Sequence, residues 1–266
     1  MSNIKLTIAA GLLLGSTALM AAIAGSPHDL SVDTGDASGL ASLTTDNGEL
    51  CVYCHTPHAG NSTFSAGGNA PLWNKTPDAA GTGSVTTTST FTMYGASAAN
   101  TAGTTIASTA TASVPSNPSL ACLSCHDGVS SIDSIVNSPG AGTIAEATPR
   151  LITAVGGNDN ANIGIDLTND HPISIVYGGT GTGNTYSGGP ASLRPKDANL
   201  ETVTGSAWLG ATTIQDLLRG ADMVECGSCH DPHNGDASAA GTRATEVNFL
   251  RVSNVGSKLC LGCHDK

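Results

Sequence analysis

The apolar and polar positions of this 266-residue chain follow one pattern at its start and another over the rest. Residues 6–23 form a nearly continuous apolar stretch that follows Lys5 and ends in the small residues 22–24. A short basic start, an apolar segment and a small-residue cleavage site are typical of an export signal. We therefore expect residues 1–24 to be a signal peptide and residues 25–266 to form one mature unit. An uncleaved membrane anchor is the alternative, and the glycines within the apolar stretch disfavour it.

Beyond this stretch the pattern predicts short elements only, and no segment is apolar enough to cross a bilayer. Alternating positions in 85–94 and a β-branched run in 173–177 predict short strands. Residues 212–219 predict a helix closed by Gly220. Residues 79–116 are rich in Thr, Ser, Ala and Gly, and they predict either a small hairpin or disordered chain. The expected fold is mostly irregular, with short α-helices, little β-structure and no large sheet.

Composition narrows the function classes. The chain carries 21 acidic side chains against 10 Lys and Arg, for a net charge of −11, and it shows no basic patch. A nucleic-acid partner is therefore not expected. Aromatic residues make up only 3%, which leaves few large side chains for a core. Such a chain is either largely disordered or builds its interior around something other than side chains, such as a bound macrocycle.

All eight cysteines occur in four copies of one motif, C-x-x-C-H. A disulfide framework or a redox pair gives no reason for a histidine directly after each second cysteine. Zinc sites built from Cys and His usually separate their histidines from the cysteine pair. C-x-x-C-H is the attachment signature of c-type haem, and all four pairs carry it. The motifs comprise Cys51, Cys54 and His55; Cys122, Cys125 and His126; Cys226, Cys229 and His230; and Cys260, Cys263 and His264.

The motif has a chemical reason. Two thiols three residues apart lie on one face of a helical turn, where they can form thioethers to the two vinyl groups of a haem. The adjacent imidazole then reaches the iron as one axial ligand. We expect four covalently bound haem c groups, held by the eight cysteines, whose apolar faces replace the missing aromatic core as a haem stack. Such attachment occurs outside the cytoplasm, which agrees with the export signal.

Local sequence predicts a short helix at each motif. The stretches 46–49 and 222–225 resemble capping boxes, and each lies just before a motif. Asn117 and Pro118 resemble an N-cap followed by proline at the first helical position. Gly128 is a candidate stop for the same helix.

Four histidines are left over, one for each expected haem: His28, His58, His171 and His233. Low-spin electron-transfer haems take a second axial ligand, usually His or Met. The mature chain has only two methionines, Met93 and Met223. The count therefore favours bis-histidine ligation of all four irons, low reduction potentials and no open position for a substrate. Enzymatic activity is accordingly not expected.

Two of these spare histidines belong to a repeated C-H-x-P-H pattern, at 54–58 and 229–233. Residues three apart lie on the same side of a helical turn, whereas axial ligands approach iron from opposite faces of the ring. His58 and His233 are therefore expected to bind a different iron from the motif histidine beside them. Each such pair would tie two haems together. The sequence leaves open which spare histidine serves which haem.

Two further sequence features do not by themselves indicate a functional site. Asn61 and Asn74 each begin a glycosylation sequon, which matters only if the host glycosylates exported proteins. Residues 158–170 are rich in Asn and Asp but lack the alternating ligands and central glycine of a calcium loop, so we expect a solvated loop there.

The motif order as a whole resembles the OmcE-type extracellular cytochromes of metal-reducing microbes. The resemblance lies in the four haem motifs, Pro-His-Asp around His28, C-H-T-P-H at 54–58, Asn-Asp-His-Pro around His171 and the terminal L-C-L-G-C-H-D-K. It implies polymerisation into filaments (nanowires) with a continuous haem stack, in which one subunit can donate an axial histidine to the next. His28, near the N-terminus of the mature chain, is then the candidate donor.

The sequence thus predicts an exported multihaem cytochrome c that conducts electrons, outside the cell or at its surface. Its expected partners are further copies of itself, other redox proteins and extracellular acceptors, and the mature chain is expected to have no membrane span. A monomeric periplasmic shuttle with the same haems is one alternative. A multihaem reductase with one open haem is a second, and a Cys/His zinc protein is a third.

Overall fold

A computed structural model describes all eight cysteines and all eight histidines, together with the chain around them. The described residues are 23–24, 26–30, 50–61, 72–75, 91–93, 115, 117–132, 134–137, 152, 161–178, 193–220, 222–233 and 249–265. Nearly all of the expected signal peptide, most of 79–116 and the capping stretch 46–49 lie outside them.

Short helices and one small sheet are the regular elements of the described residues. Strand β1 (Ile175–Val176) pairs antiparallel with β2 (Met223–Val224). No helix in this part of the chain is long and apolar enough to cross a membrane. The expectation of short helices, little β-structure and no large sheet is confirmed for the residues described. The helices are α1 (Asn117–His126), α2 (Leu200–Thr204), α3 (Ile214–Leu217), α4 (Cys226–Cys229) and α5 (Lys258–Cys263), with a 3₁₀ turn at Val255–Ser257.

Three of the four C-x-x-C-H motifs form helix, as the sequence predicts. Helix α1 carries the second motif, begins with Asn117 and Pro118, and is followed by Gly128 at φ 72°, a left-handed conformation that glycine adopts without strain. Helices α4 and α5 carry the third and fourth motifs. The expected helix at the first motif is wrong, because residues 51–54 form turns. Pro57 disfavours helical backbone at Thr56, so the turn does not propagate.

The capping box expected at 222–225 is also wrong, because the helix begins three residues later than the pattern indicates. Met223–Val224 is drawn into the sheet as β2, which keeps the chain extended up to Glu225. Glu225 itself is then the N-cap of α4, and its N–H donates to Ser228 Oγ at 3.0 Å. Pairing with β1 therefore overrides the local capping pattern.

The other predicted elements are shorter than their patterns. Helix α3 covers the middle of 212–219, and Gly220 follows it at φ 56°. Strand β1 lies within 173–177, as expected. Of the stretch 85–94, residues 91–93 are described, and Thr92 forms a single bridge to Asp166.

Three small clusters of buried apolar side chains form the interior of the described residues. The α1 cluster lies beside the second motif, the Tyr53 cluster lies between the first and second motifs, and the C-terminal cluster supports the fourth. A haem-stack core stays a prediction. The α1 cluster contains Phe91, Met93, Leu120, Ala121, Leu123 and Leu167; the Tyr53 cluster contains Tyr53, Ile132 and Ile152; and the C-terminal cluster contains Tyr177, Leu200, Trp208, Ile214, Leu217, Leu218 and Val252.

Candidate functional site

Each motif histidine is held by the turn that its own motif forms. The backbone N–H of His55 donates to Cys51 O at 2.7 Å, and the same bond is 3.0 Å at His230 and 2.9 Å at His264. The second motif lies wholly inside α1. Both cysteines and the histidine of a motif therefore share one turn, which is the arrangement that thioether attachment with axial ligation requires.

All eight cysteines lie in the described residues, and none of them forms a disulfide. Burial raises the pKa of the second cysteine in three motifs, to about 12 for Cys54, about 11 for Cys229 and about 12 for Cys263. A thiol that stays protonated at neutral pH is a poor nucleophile. The second cysteine of each of these three motifs is therefore a poor nucleophile at neutral pH.

Cysteines of successive motifs are neighbours in space. Cys122 hydrogen-bonds to Cys226, which raises the pKa of the first thiol and lowers the pKa of the second. The attachment points thus follow one another closely from the first motif to the fourth. Two further electrostatic contacts join the first motif to the second and the third to the fourth: Cys54 with Cys125, and Cys229 with Cys260 and Cys263.

Three spare histidines each lie against a motif histidine from a distant part of the chain. Two imidazoles bound to opposite sides of one metal, at about 2 Å per metal–nitrogen bond, have ring centroids roughly 6 Å apart. All three pairs have this spacing, and each joins one motif histidine to one spare histidine. The centroid distances and interplanar angles are 6.1 Å and 64° for His28 and His126, 6.1 Å and 24° for His55 and His233, and 6.5 Å and 68° for His171 and His264.

Hydrogen bonds to backbone carbonyl groups orient two of these imidazoles. His126 Nδ1 donates to Ala161 O at 2.7 Å, and His171 Nδ1 donates to Pro172 O at 3.0 Å. Because a carbonyl oxygen only accepts, Nδ1 of each ring is the donor, and in the neutral His126 ring Nε2 is left with its lone pair. Burial lowers the pKa of His28 to about 4 and also lowers the pKa of His126, so both rings are neutral at neutral pH.

These residues fit the donor set of a haem. Paired imidazoles would hold an iron, and paired thiols would hold the macrocycle around it. Among the residues the structure describes, no group of three or more His, Cys, Asp or Glu is gathered as a metal-binding cluster. A haem iron takes only two ligands from the protein, so its site is not of that kind.

His28 lies inside a site of its own chain. Its ring stacks on Phe249 at a centroid distance of 4.1 Å and lies beside His126, while its Nδ1 donates to Pro232 O at 3.3 Å. This geometry gives His28 a partner within the chain. It leaves no reason to choose His28 as the histidine that a subunit donates to its neighbour.

His58 is the spare histidine outside the three pairs, and its side chain is exposed. Its backbone is nevertheless fixed, because its carbonyl accepts from Thr56 Oγ1 at 2.9 Å and from Asn137 Nδ2 at 3.0 Å. His230 is the motif histidine outside the same three pairs. An exposed imidazole on a fixed backbone is well placed to meet a group from outside the subunit.

The second C-H-x-P-H segment, 229–233, joins three motifs. It carries the third motif, and its last residue, His233, lies beside His55 of the first. The carbonyl of Pro232 accepts from His28, which lies beside the histidine of the second motif. His233 thereby belongs with the first site, whereas its neighbour His230 belongs to the third.

Sequence reasoning missed a polar frame around the first motif. Asn74 is fully buried, and its Nδ2 donates to Val52 O at 2.6 Å and to Asn137 O at 2.9 Å. Its Oδ1 accepts from the Asn137 N–H at 2.9 Å. The sequon that begins at Asn74 is therefore inaccessible to glycosylation in this fold. We define the polar frame as Thr56, Asn61, Asn74, Lys75 and Asn137.

The fourth motif rests on an indole ring, a second feature that the motif alone does not reveal. Gly262 is buried in α5, and a Cβ added to it would lie 2.4 Å from Trp208 Cζ2. Trp208 is itself fixed, because its Nε1 donates to Thr204 Oγ1 at 3.1 Å. The close approach of backbone to indole explains why glycine stands at this position.

The chain matches no protein-family model, and a search of curated proteins gives no match.

Proposed function

We propose that the protein is an exported tetrahaem c-type cytochrome that carries electrons through closely spaced bis-histidine haems. The observation that carries this proposal is the pairing of three motif histidines with three spare histidines at 6.1–6.5 Å. A disulfide framework or a zinc site gives no reason for such pairs. Two imidazoles at this spacing match the axial ligands of one iron.

The residues of the chain anchor and enclose the cofactor. The eight cysteines would hold four haems on short turns, and the motif and spare histidines would hold the irons and leave no position for a substrate. When bound, a haem iron supplies a reversible one-electron change between the ferric and ferrous states. Because the ligands are retained, the protein makes and breaks no substrate bond, and we expect it to be a carrier rather than an enzyme.

The neighbouring attachment sites support conduction through the subunit. Electron tunnelling falls steeply with distance, so a carrier needs its redox centres close together. Contacts between cysteines of successive motifs, such as Cys122 with Cys226, bring consecutive sites side by side. The segment 229–233 adds a direct link between the third site and the first.

Assembly into an extracellular filament is the second part of the proposal, and it follows from the resemblance to OmcE-type cytochromes. A donated histidine must be exposed and held in a fixed position. His58 meets both conditions, whereas His28 is engaged within its own subunit. We therefore assign the donated ligand to His58. A monomeric periplasmic shuttle is the alternative.

Analysis of the purified mature protein tests the cofactor. We expect four covalently bound haems per chain by intact mass and by haemochrome absorbance, with low-spin ferric spectra by electron paramagnetic resonance. A colourless protein with bound zinc would refute the proposal. A reduced protein that readily binds carbon monoxide would instead indicate an open haem and favour the reductase.

Replacement of two spare histidines tests the assembly. His58→Ala should abolish fibres in negative-stain micrographs and leave subunits with one high-spin haem. His28→Ala is the matched variant, and it should create a high-spin haem at the second motif even in isolated subunits. Fibres that persist in His58→Ala would contradict the assignment of the donor. Discrete particles in the unaltered protein would favour the shuttle.

A further inference from the structure

Lys75 is a fully buried lysine at the edge of the first candidate haem site. Its side chain is only 1% exposed, and its Nζ donates to Ser131 O at 2.8 Å and to Ile132 O. Within the described part of the chain, no carboxylate lies in ion-pair contact with it. Burial of a charged side chain is costly, and two backbone carbonyls replace only part of its hydration. The Lys75 ammonium is therefore buried beside the first motif with backbone carbonyls, rather than a carboxylate of the described residues, as its contacts.

This ammonium lies next to the attachment residues of the first motif. The backbone of Asn74 donates to Cys54 O at 2.8 Å, and Trp73 forms a bridge with His55, so the segment 73–75 runs along the motif. The charge of Lys75 acts on the Cys54 thiol, where it lowers the pKa against the larger opposing effect of burial. The field of the lysine therefore reaches the position of the first thioether.

The second motif lies on the other side of the same ammonium. Ile132, whose carbonyl accepts from Lys75 Nζ, belongs to the Tyr53 cluster, against which Cys125 packs. Lys75 thus lies between the first and second attachment sites. It is buried far from bulk water, where salt screens a charge much less than at the surface.

We propose that Lys75 sets the reduction potential of the haem attached at Cys51 and Cys54, and that its buried positive charge raises that potential. The inference rests on the proposed function. Reduction adds one electron to the iron, delivered by a neighbouring haem or an external redox partner, and a nearby cation stabilises the state with the extra electron. Lys75 forms and breaks no bond. It acts through its charge alone, which would favour the reduced state of the haem at the first site.

The test is potentiometric titration of the holoprotein with all four haems attached. A unit charge roughly 10 Å from the iron, at an effective dielectric constant of about 20, changes the ferrous-to-ferric ratio roughly tenfold. For a one-electron couple, tenfold corresponds to about 59 mV. Lys75→Gln and Lys75→Met should therefore lower one of the four potentials by about this amount, and Lys75→Arg should restore it.

Lys196→Gln is the matched control. Lys196 is a half-buried lysine paired with Asp222 at 2.5 Å, and its replacement should leave all four potentials unchanged. A second control removes the first haem by changing Cys51 and Cys54 to Ala. In that background, Lys75→Gln should no longer produce the large shift.

The outcomes separate this inference from the proposed function. Absence of haem from the unaltered protein refutes the function itself. Four haems with unchanged potentials in Lys75→Gln and Lys75→Met overturn the inference alone. Loss of haem or of folding in both charge-removing variants, with Lys75→Arg intact in every respect, would make the lysine a structural residue and would equally overturn the inference.

Discussion

The first and fourth motifs are held in place by opposite means. Around the first, the polar frame fixes the backbone through directional bonds, and Asn74 and Lys75 are 0% and 1% exposed. Around the fourth, α5 packs on the apolar side chains of the C-terminal cluster, with Gly262 seated against Trp208. One site therefore depends on hydrogen-bond geometry and the other on the fit of surfaces.

This difference predicts two kinds of vulnerability. An apolar cluster distributes its free energy over many weak contacts, so the loss of a side chain costs in proportion to the volume removed. In a buried polar frame the loss of stability does not scale with the volume removed, because each donor or acceptor that loses its partner bears the full cost of desolvation. A substitution that preserves the shape of the side chain should accordingly be harmless in the apolar C-terminal cluster and harmful in the polar frame.

Trp208→Ala should have the largest effect, because it empties the centre of the C-terminal cluster. We expect a loss of about 4 kcal/mol in the free energy of unfolding, measured by urea denaturation of the holoprotein. The low-spin spectrum of the fourth haem should be lost first. Leu209→Ala is the neighbouring control, since Leu209 is 40% exposed and its removal should change stability by less than about 0.5 kcal/mol. Equal losses from both variants would contradict the role given to the indole.

Asn74→Leu should follow, although it nearly preserves the volume of the side chain. It removes both amide donors and the acceptor at Oδ1, and it leaves buried groups of Val52 and Asn137 without these partners. We expect a loss of about 3 kcal/mol in unfolding free energy. Asn254→Leu is the control, because Asn254 is exposed and makes no capping hydrogen bond with its side chain. A stability change as small as the control's would show that the frame is dispensable.

Gly262→Ala should cost about 2 kcal/mol, because the new methyl group overlaps the indole of Trp208 and neither side can yield easily. Gly227→Ala, in the third motif, is the matched control. The nearest atom to its added Cβ is Arg219 Nε at 3.8 Å, which is an ordinary contact. In α4 the alanine should be neutral or slightly stabilising. If the two variants unfold at the same urea concentration, the tight fit at the fourth motif is not the cause.

Asp216→Asn should have the smallest effect, about 1 kcal/mol, because it weakens the cap of α3. Asp216 Oδ2 accepts from the backbone N–H groups of Thr212 and Thr213 and from Thr213 Oγ1. These bonds hold the pKa of Asp216 below its usual value of 3.8. The stabilisation is therefore present above that pH and is lost as the pH falls through the lowered pKa. Stability curves of the two proteins should converge in acid, and a constant gap would contradict this account.

The repeated motif and its local sequence predicted the helices of the second, third and fourth motifs, because each of these patterns is local in the chain. Haem attachment at the cysteines stays a prediction. The sequence could not predict which spare histidine lies beside which motif histidine. His28 meets His126, and His55 meets His233, across long intervals of chain, and no local pattern encodes such contacts. The first motif forms a turn before Pro57 rather than a helix, and α4 begins late because pairing with β1 keeps the chain extended up to Glu225.

Lys75 and Asn74 show a second limit of sequence reasoning. By composition alone, a lysine and an asparagine in a Gly-rich region are expected at the surface. Both are buried because Ser131, Ile132, Val52 and Asn137 offer matching backbone groups, and these come from other parts of the chain. Only the folded structure shows which polar side chains find hydrogen-bond partners in the interior.

The contact between Cys122 and Cys226 has a consequence for biogenesis. If the chain is exported as we propose, two thiols this close would be able to form a disulfide that joins two different motifs and blocks both. A chain that folded before haem attachment would then be trapped without its cofactors. On the proposed function, attachment at Cys122 and Cys226 would therefore have to precede folding of this contact.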